Sequence, residues 1–262
     1  MIIDTHCHLA DSVFDEDREA VLERARTADV RAVVSVAESL ADCRKNLEMA
    51  AAHPGVFAGA GLHPSQADRD VAESVVALIR AERDRLCCIG EIGLDYWLAK
   101  QDDERSLQRD ILIEFIRLSS ELALPLNLHS RSAGAHTVSL LLEHGAEKVH
   151  LHAFDGKATS AWPGVEAGYF FSVPPSIVRS RQKQKLVRQL PLDCLMVETD
   201  SPVLGPDPRT RNEPANANAA VGAIADIKNL PRRKVAEAVH GNSVRLYGKS
   251  TFAGAGPDAG TS

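Results

Sequence analysis

Short apolar runs alternate with polar, helix-like segments along most of this chain of 262 residues, and no other feature constrains the fold as strongly. The runs are rich in Val, Ile and Leu, and there are eight of them, at residues 1–6, 31–36, 56–62, 86–92, 125–129, 149–152, 169–173 and 194–197. Their length and composition predict parallel strands that are buried on both faces. Eight such strands, alternating with helices, predict a closed TIM (β/α)8 barrel, an α/β fold.

The segments between the runs carry helical periodicity and define the extent of the domain. Helices are predicted at residues 16–28, 41–52, 71–83, 104–122, 137–144 and 178–189, followed by two more at 216–229 and 232–246. Because no linker interrupts the pattern, residues 1–248 are predicted to form a single barrel domain. Residues 249–262 are small and polar, and they are predicted to form a disordered tail.

Composition narrows the class of protein. A hydrophobic fraction of 44% with 25% charged residues is typical of a globular domain and excludes a disordered or collagen-like chain. The net charge of −6 excludes a protein that grips long nucleic acid over its whole surface, so any contact with DNA is expected to be local, at the barrel mouth. The oligomeric state stays open.

The cysteines and the start of the chain indicate where the protein resides. The five cysteines form no C-x-x-C pair, and this predicts reduced, buried thiols. No run reaches the roughly 18 apolar residues that cross a bilayer, so no membrane partner is expected. An acid and a histidine, Asp4 and His6, stand where a signal peptide needs a basic and then an apolar stretch. We expect a soluble intracellular protein, either cytoplasmic or nuclear.

Histidines and carboxylates follow the predicted strands, and they carry the functional signal. The carboxyl ends of all strands in a parallel barrel meet at one rim. The residues that fall there are His6, His8, Glu91, His129, His152 and Asp200. Each of them alone is a weak signal, but unpaired imidazoles and carboxylates are costly to bury together, whereas a divalent cation relieves that cost. Their convergence therefore predicts a metal centre.

Six ligands are too many for one tetrahedral ion, so two ions are predicted. Glu91 is expected to bridge them, because a carboxylate can offer one oxygen to each ion. His6, His8 and Asp200 would complete the first site, and His129 with His152 the second. The mixed ligands suit Zn²⁺, Mn²⁺ or Mg²⁺ without deciding among them. Two ions about 3.5–4 Å apart are typical of in-line displacement at phosphorus.

Three more polar residues at the rim are predicted to contact the substrate. His63, in Gly-Leu-His-Pro, and Arg131, two residues after His129, are expected to bind a phosphate. The alternatives are a structural turn for His63 and a surface salt bridge for Arg131. Asp95 either contacts the substrate or orients a metal ligand.

The roles of His150 and of the basic run at residues 179–188 stay open. His150 lies one layer below His152 and is expected to be a buried, hydrogen-bonded residue rather than a ligand. The basic run at residues 179–188 is either a solvated helix face or a local track for phosphates.

As a set, these motifs resemble those of the TatD family of metal-dependent deoxyribonucleases. The matching segments are His6-x-His8, Gly61-x-His63-Pro64, Gly90-Glu91-Ile92-Gly93-Leu94-Asp95-Tyr96, His129-x-Arg131, His152-Ala153-Phe154 and Glu198-Thr199-Asp200-Ser201-Pro202. The resemblance spans nearly the whole chain, up to about residue 248. It implies a TIM-barrel hydrolase that uses divalent metals to cleave DNA phosphodiesters, often from the 3′ end. It also assigns metal binding to the six rim ligands and places His63 and Arg131 near the substrate phosphate.

The expected reaction is the hydrolysis of DNA by water that the metals activate. Asp200 is expected to take the proton of that water, Glu91 to bridge the ions, and Arg131 with His63 to stabilise the developing negative charge. The preference for exonuclease or endonuclease cleavage, activity at abasic sites, and DNA against RNA stay open.

Two alternatives belong to other functional classes. One is an amidohydrolase-type enzyme that acts on an amide, a lactone or a small phosphoester. Many such enzymes bridge their metals with a carboxylated lysine after the fourth strand, where this chain has Glu91 and no lysine. The other is a barrel kept only as a binding module, and the complete set of six ligands argues against it.

Overall fold

Eight parallel strands form the centre of the molecule. A computed structural model describes residues 1–249 and 251–252. The strands are β1 (Ile2–Cys7), β2 (Val30–Ser35), β3 (Val56–Ala60), β4 (Leu86–Gly93), β5 (Leu126–His129), β6 (Val149–Leu151), β7 (Phe170–Val173) and β8 (Leu195–Val197). Each strand pairs with the next in chain order. The ring closes where the N–H of Asp200 donates to the carbonyl of His6 at 2.9 Å and that of His8 to Ser201 at 2.8 Å. The predicted TIM barrel is confirmed.

Helices surround the strands. They are α1 (Arg18–Thr27), α2 (Leu40–Ala52), α3 (Arg69–Ala81), α4 (Asp102–Leu122), α5 (Gly134–Glu143), α6 (Ala158–Glu166), α7 (Arg181–Gln189), α8 (Ala217–Lys228) and α9 (Arg232–Tyr247). All the predicted helices are present, with ends that differ by a few residues. Helix α6 was not predicted from the sequence, because it contains Pro163, which lacks an N–H and is typical of a helix end.

Local sequence explains where the helices begin and which face they bury. Asp68 precedes α3, and its carboxylate accepts a hydrogen bond from the N–H of Val71. The buried residues of α3 are Ala72, Val75 and Ile79, three or four positions apart, so that they form one apolar stripe against the strands.

The amino-terminal end of the barrel is closed by an apolar plug. The ring of Phe252 packs at 5.0 Å from that of Phe57 on β3 and at 5.9 Å from that of Tyr247 at the end of α9. These residues belong to one buried cluster with Met196 of β8. Phe252 falls within the segment 249–262, whose predicted disorder stays a prediction, since residues 250 and 253–262 lie outside the described residues. The plug leaves the opposite, carboxyl end as the open mouth.

The cysteines behave as their spacing predicted. All five are buried and free.

Over residues 1–249 and 251–252, no helix has the length and apolar character that crossing a membrane requires. Residence in the cytoplasm or the nucleus stays a prediction.

Candidate metal centre

The structure brings all six predicted metal ligands together at the mouth of the barrel. His6 lies in β1, Glu91 in β4 and His129 at the end of β5. His8 and His152 directly follow β1 and β6, and Asp200 lies three residues after the end of β8. They group around the carboxylate of Glu91, which is 2% exposed. Side chains from five different strands therefore converge on one small volume.

One oxygen of Glu91, Oε2, faces the first set of donors. The Nε2 atoms of His6 and His8 lie 3.7 and 3.4 Å from it. The Oδ1 atom of Asp200 lies 3.5 Å from His6 Nε2 and 3.3 Å from His8 Nε2. Bonds of about 2.0–2.2 Å to a tetrahedral ion would put neighbouring donors roughly 3.3–3.6 Å apart. The spacing of this set therefore fits one divalent ion.

The other oxygen, Oε1, faces the second set. It lies 2.7 Å from Nδ1 of His129 and 2.8 Å from Nε2 of His152. These two nitrogens are 3.3 Å apart. The two oxygens of a single carboxylate thus point to separate groups of imidazoles, which is the arrangement that a bridging ligand requires.

Burial and mutual contact shift the pKa values of these groups. Burial alone would raise the pKa of Asp200, but hydrogen bonds with His6 and His8 outweigh it and hold that pKa below its ordinary value. Burial would lower the pKa of His8, yet Asp200 and Glu91 raise it to about 9. Burial would also lower the pKa of His152, but the carboxylates of Glu91 and Glu198 together outweigh it and raise that pKa. Ionised carboxylates thus face protonated imidazoles, which a cation would deprotonate on binding.

The outward nitrogens of the ligand rings contact a layer of supporting side chains. Nδ1 of His6 lies 2.8 Å from Oδ1 of Asn127. Nε2 of His129 lies 3.1 Å from Oδ2 of Asp95. Such outer partners fix the orientation and the tautomer of a metal-binding histidine. These contacts leave the opposite nitrogen of each ring directed at Glu91.

His152 provides a further sign that the donors suit a metal. Its Nδ1 is buried and has no hydrogen-bond partner within the described part of the chain. The nearest carboxylate oxygen, Oε2 of Glu198, lies 3.6 Å away. A metal on the opposite nitrogen would make the ring a stronger donor through Nδ1 and draw it toward Glu198.

Asn127 and Glu198 are functional residues that the sequence did not reveal. Each precedes a ligand by two positions, His129 for Asn127 and Asp200 for Glu198. Because side chains two apart on a strand share a face, this spacing is the signal that could have found Asn127 on β5. Glu198 follows the end of β8 and was overlooked because it is one of several polar residues after the last apolar run.

The predicted substrate residues occupy different depths. Asp95 is 1% exposed and contacts His129, so it is placed as an orienting residue and not at the open surface. Nδ1 of His63 accepts from the N–H of Ser65 at 3.1 Å, and its Nε2 lies 3.9 Å from Glu91. Burial lowers the pKa of His63 to about 4, so the neutral ring presents an N–H toward the centre. Arg131 is exposed, and its guanidinium lies 4.0 Å above the ring of Trp97.

His150 is buried and fully hydrogen-bonded, as predicted. Its Nδ1 lies 2.8 Å from the hydroxyl of Tyr247, and its Nε2 lies 2.5 Å from that of Ser172. Burial and the nearby His6 hold its pKa well below the ordinary value, so the ring is neutral. It supports the floor beneath the six ligands.

The basic run at 179–188 divides into two parts. Lys183 donates to the carbonyl of Ala153 at 2.9 Å, and Arg179 donates to that of Gly205 at 3.2 Å. Both side chains therefore hold loops at the mouth. The other cations of the run, Arg181, Lys185 and Arg188, are exposed.

Two glycines allow the strands to approach closely around Glu91. Gly93 has a φ of +146°, and a Cβ there would lie 2.1 Å from the carbonyl oxygen of His129. A Cβ on Gly61 would lie 2.5 Å from the carbonyl oxygen of Glu91. Any larger residue at either position would force the ligand strands apart.

Comparison with known proteins gives consistent results. The family model described as TatD related DNase matches residues 3–248. The chain is 47% identical over 263 residues to the putative deoxyribonuclease TATDN3 of Mus musculus, covering 95% of this chain and 88% of the relative. It is 45% identical to the deoxyribonuclease TATDN3 of Homo sapiens, covering 95% of both. The crystal structure of YJJV, a TatD homologue from Escherichia coli, superposes with a TM-score of 0.86 at 28% identity, covering 94% of this chain and 97% of that one.

Proposed function

This chain belongs to the TatD-related DNase family and is a hydrolase acting on ester bonds, and from that premise we propose that it hydrolyses DNA phosphodiesters with two divalent ions at the barrel mouth. The observation that carries the proposal is the division of Glu91 between two sets of donors, with Oε2 toward His6 and His8 and Oε1 toward His129 and His152.

The proposed assignment of donors to the two ions follows the contacts of the two Glu91 oxygens. His6, His8 and Asp200 would hold the first ion and His129 with His152 the second, and Glu91 would offer one oxygen to each. Imidazoles and carboxylates suit Zn²⁺, Mn²⁺ or Mg²⁺. Such ions supply two effects in this position, a lowered pKa for water and neutralisation of charge on the phosphate.

Asp200 is the proton acceptor in the proposed reaction. The carboxylate is ionised at neutral pH, as a proton acceptor must be, although the hydrogen bonds with His6 and His8 that lower its pKa also make it a weaker base. A φ of +54° places the residue in the left-handed region, which is unfavourable for a residue with a side chain. The hydrogen bond from its N–H to the carbonyl of His6 holds this conformation and aims the carboxylate at the ligands.

His63 and Arg131 bind the phosphate in this proposal. The N–H of the neutral His63 ring points toward the side of the centre where Glu91 Oε1 lies. Arg131 is mobile enough, as an exposed side chain, to leave the indole for a phosphate oxygen, with which a guanidinium forms charge-assisted hydrogen bonds. Contact with DNA is local, because a net charge of −6 leaves no broad cationic surface.

We further propose that cleavage proceeds from the 3′ end, as the family resemblance implies, and the test below also asks whether abasic sites are cut at the same centre. The alternative is an amidohydrolase-type activity on a small phosphoester or amide. The two are separated by substrate, because a nuclease prefers an oligonucleotide over an isolated ester.

The test uses protein stripped of metal by a chelator and then supplied with Mg²⁺, Mn²⁺ or Zn²⁺. Single-stranded DNA, duplex DNA with and without an abasic site, RNA and bis(p-nitrophenyl) phosphate are compared, with end-labelled strands to show polarity. The proposal predicts metal-dependent cleavage of DNA that Glu91→Ala abolishes while the circular dichroism of the barrel persists. Glu73→Ala, on the exposed face of α3, is the matched control. Undiminished cleavage by Glu91→Ala would refute the proposal.

A further inference from the structure

An exposed tryptophan stands beside the candidate metal centre. Trp97, in the loop after β4, is 51% exposed. Two cations flank its ring, with the guanidinium of Arg131 at 4.0 Å and the Nζ of Lys100 at 5.8 Å from the ring centre. The exposed indole leaves apolar area in water, and the two cations beside it concentrate positive charge at the rim of a chain whose net charge is −6.

Hydrogen bonds connect this tryptophan directly to the ligand shell. The backbone N–H of Trp97 donates to Oδ1 of Asp95 at 2.9 Å, and Oδ2 of the same carboxylate contacts Nε2 of His129. The N–H of Tyr96 donates to the carbonyl of Arg131 at 3.0 Å, so the loops after β4 and β5 are tied together. The indole and the guanidinium are therefore held at the rim by the backbone that carries Glu91 and His129.

The chemistry of the pair matches one kind of group in the proposed substrate. A nucleobase stacks on an indole whatever its identity, because every base has a π face. The flanking cations complement the phosphates on either side of that base. A base that is still paired in a duplex has its faces covered by its neighbours, so an unpaired base is the form that can stack.

We propose that Trp97, with Arg131, is a stacking platform for an unpaired nucleobase next to the phosphate that is cleaved. This inference rests on the proposed nuclease function and adds a residue that holds that base. Trp97 binds the substrate and takes no part in proton transfer.

The first test observes Trp97 itself by fluorescence. The chain has two tryptophans, so the substitution Trp162→Phe, on the outer helix α6, leaves Trp97 as the sole indole. Chelator-treated protein, which cannot turn over, is titrated with a thymidine oligonucleotide and with an oligomer of the same length that has an abasic sugar at every position. The proposal predicts strong quenching by the first and little by the second. Equal quenching by both, or none, would overturn it and show that phosphates alone bind or that Arg131 covers the ring permanently.

The second test separates binding from chemistry. Trp97→Ala is expected to raise KM for single-stranded DNA roughly tenfold, with a much smaller change in kcat, and Trp97→Phe to restore most of the loss. Trp162→Ala, which removes an indole that is 41% exposed on the outer helix α6, is the control. An unchanged KM in Trp97→Ala would refute the platform.

The two tests also distinguish this inference from the proposed function. If the wild-type protein cleaves neither DNA nor bis(p-nitrophenyl) phosphate with any metal, the nuclease function fails first. If it cleaves DNA and Trp97→Ala cleaves it with the same KM, only the platform fails.

Discussion

The two ends of the barrel are built from the same strands and have opposite characters. At the amino-terminal end, Phe57, Tyr247 and Phe252 form an apolar plug without an ionised group among them. At the carboxyl end, the strands bury ionised carboxylates against imidazoles, and each charge there depends on its partner or on a cation for compensation. The difference teaches that apolar packing holds one end, whereas the other end depends on charge compensation and is kept for chemistry. Substitutions at the two ends should therefore affect different measurements.

The largest effect is expected at the mouth. Asp200→Asn keeps the shape of the side chain but removes the base, so kcat for DNA should fall about a thousandfold. The free energy of unfolding should fall as well, because the amide no longer pairs with the imidazoles of His6 and His8, but by less than the loss of activity corresponds to. Steady-state kinetics and urea unfolding of the same preparation measure both. A variant that loses stability in proportion to activity would break the division between the two ends.

The converse substitution lies in the plug. Phe252→Ala leaves a cavity against Phe57 and Tyr247, and it should cost about 3 kcal/mol of unfolding free energy. The value of kcat should stay within a factor of about two, since the six ligands lie at the other end. Thermal or urea unfolding checks the first expectation and a DNA cleavage assay the second. A large loss of kcat in folded protein would show that the ends are coupled.

A smaller effect is expected one layer away from the metals. Asp95→Asn replaces the carboxylate that contacts Nε2 of His129 by a neutral amide and so weakens the hydrogen bond that orients the ring. The affinity for the second ion should therefore fall about tenfold to a hundredfold. Competition with a metal-binding dye measures the change. Asp103→Asn, at the exposed start of α4, is the control. If both variants bind metal equally well, Asp95 does not orient the ligand.

The smallest effect concerns pH. Because Asp200 and Glu91 raise the pKa of His8 to about 9, the metal-free ring still carries its proton at neutral pH. An ion must displace that proton, so metal affinity should rise with pH up to about 9, by roughly tenfold per pH unit for each proton released. Calorimetry in buffers of different ionisation enthalpy counts the protons. An affinity independent of pH would contradict a raised pKa for His8.

The sequence predicts most of the barrel because a buried parallel strand has a simple signature. All eight strands and the positions of the six ligands follow from apolar runs that end in polar residues. Helix α6 was not predicted, because Pro163 interrupts the sequence pattern that is typical of a helix. The contacts of Asn127 and Glu198 could not be predicted from the sequence either, because they depend on which histidine ring the fold places beside each side chain, His6 and His152 respectively. The stacking of Arg131 on Trp97 joins two loops that are separated in the chain, and only the folded structure brings them together.

Counting the metal ions bound per chain tests the shared carboxylate most directly. Equilibrium dialysis followed by elemental analysis should find two ions on the wild-type protein. In Glu91→Gln both sites should weaken together, because one carboxylate serves both sets of donors. A wild-type protein that binds a single ion, or a Glu91→Gln variant that keeps two with unchanged affinity, would contradict this account.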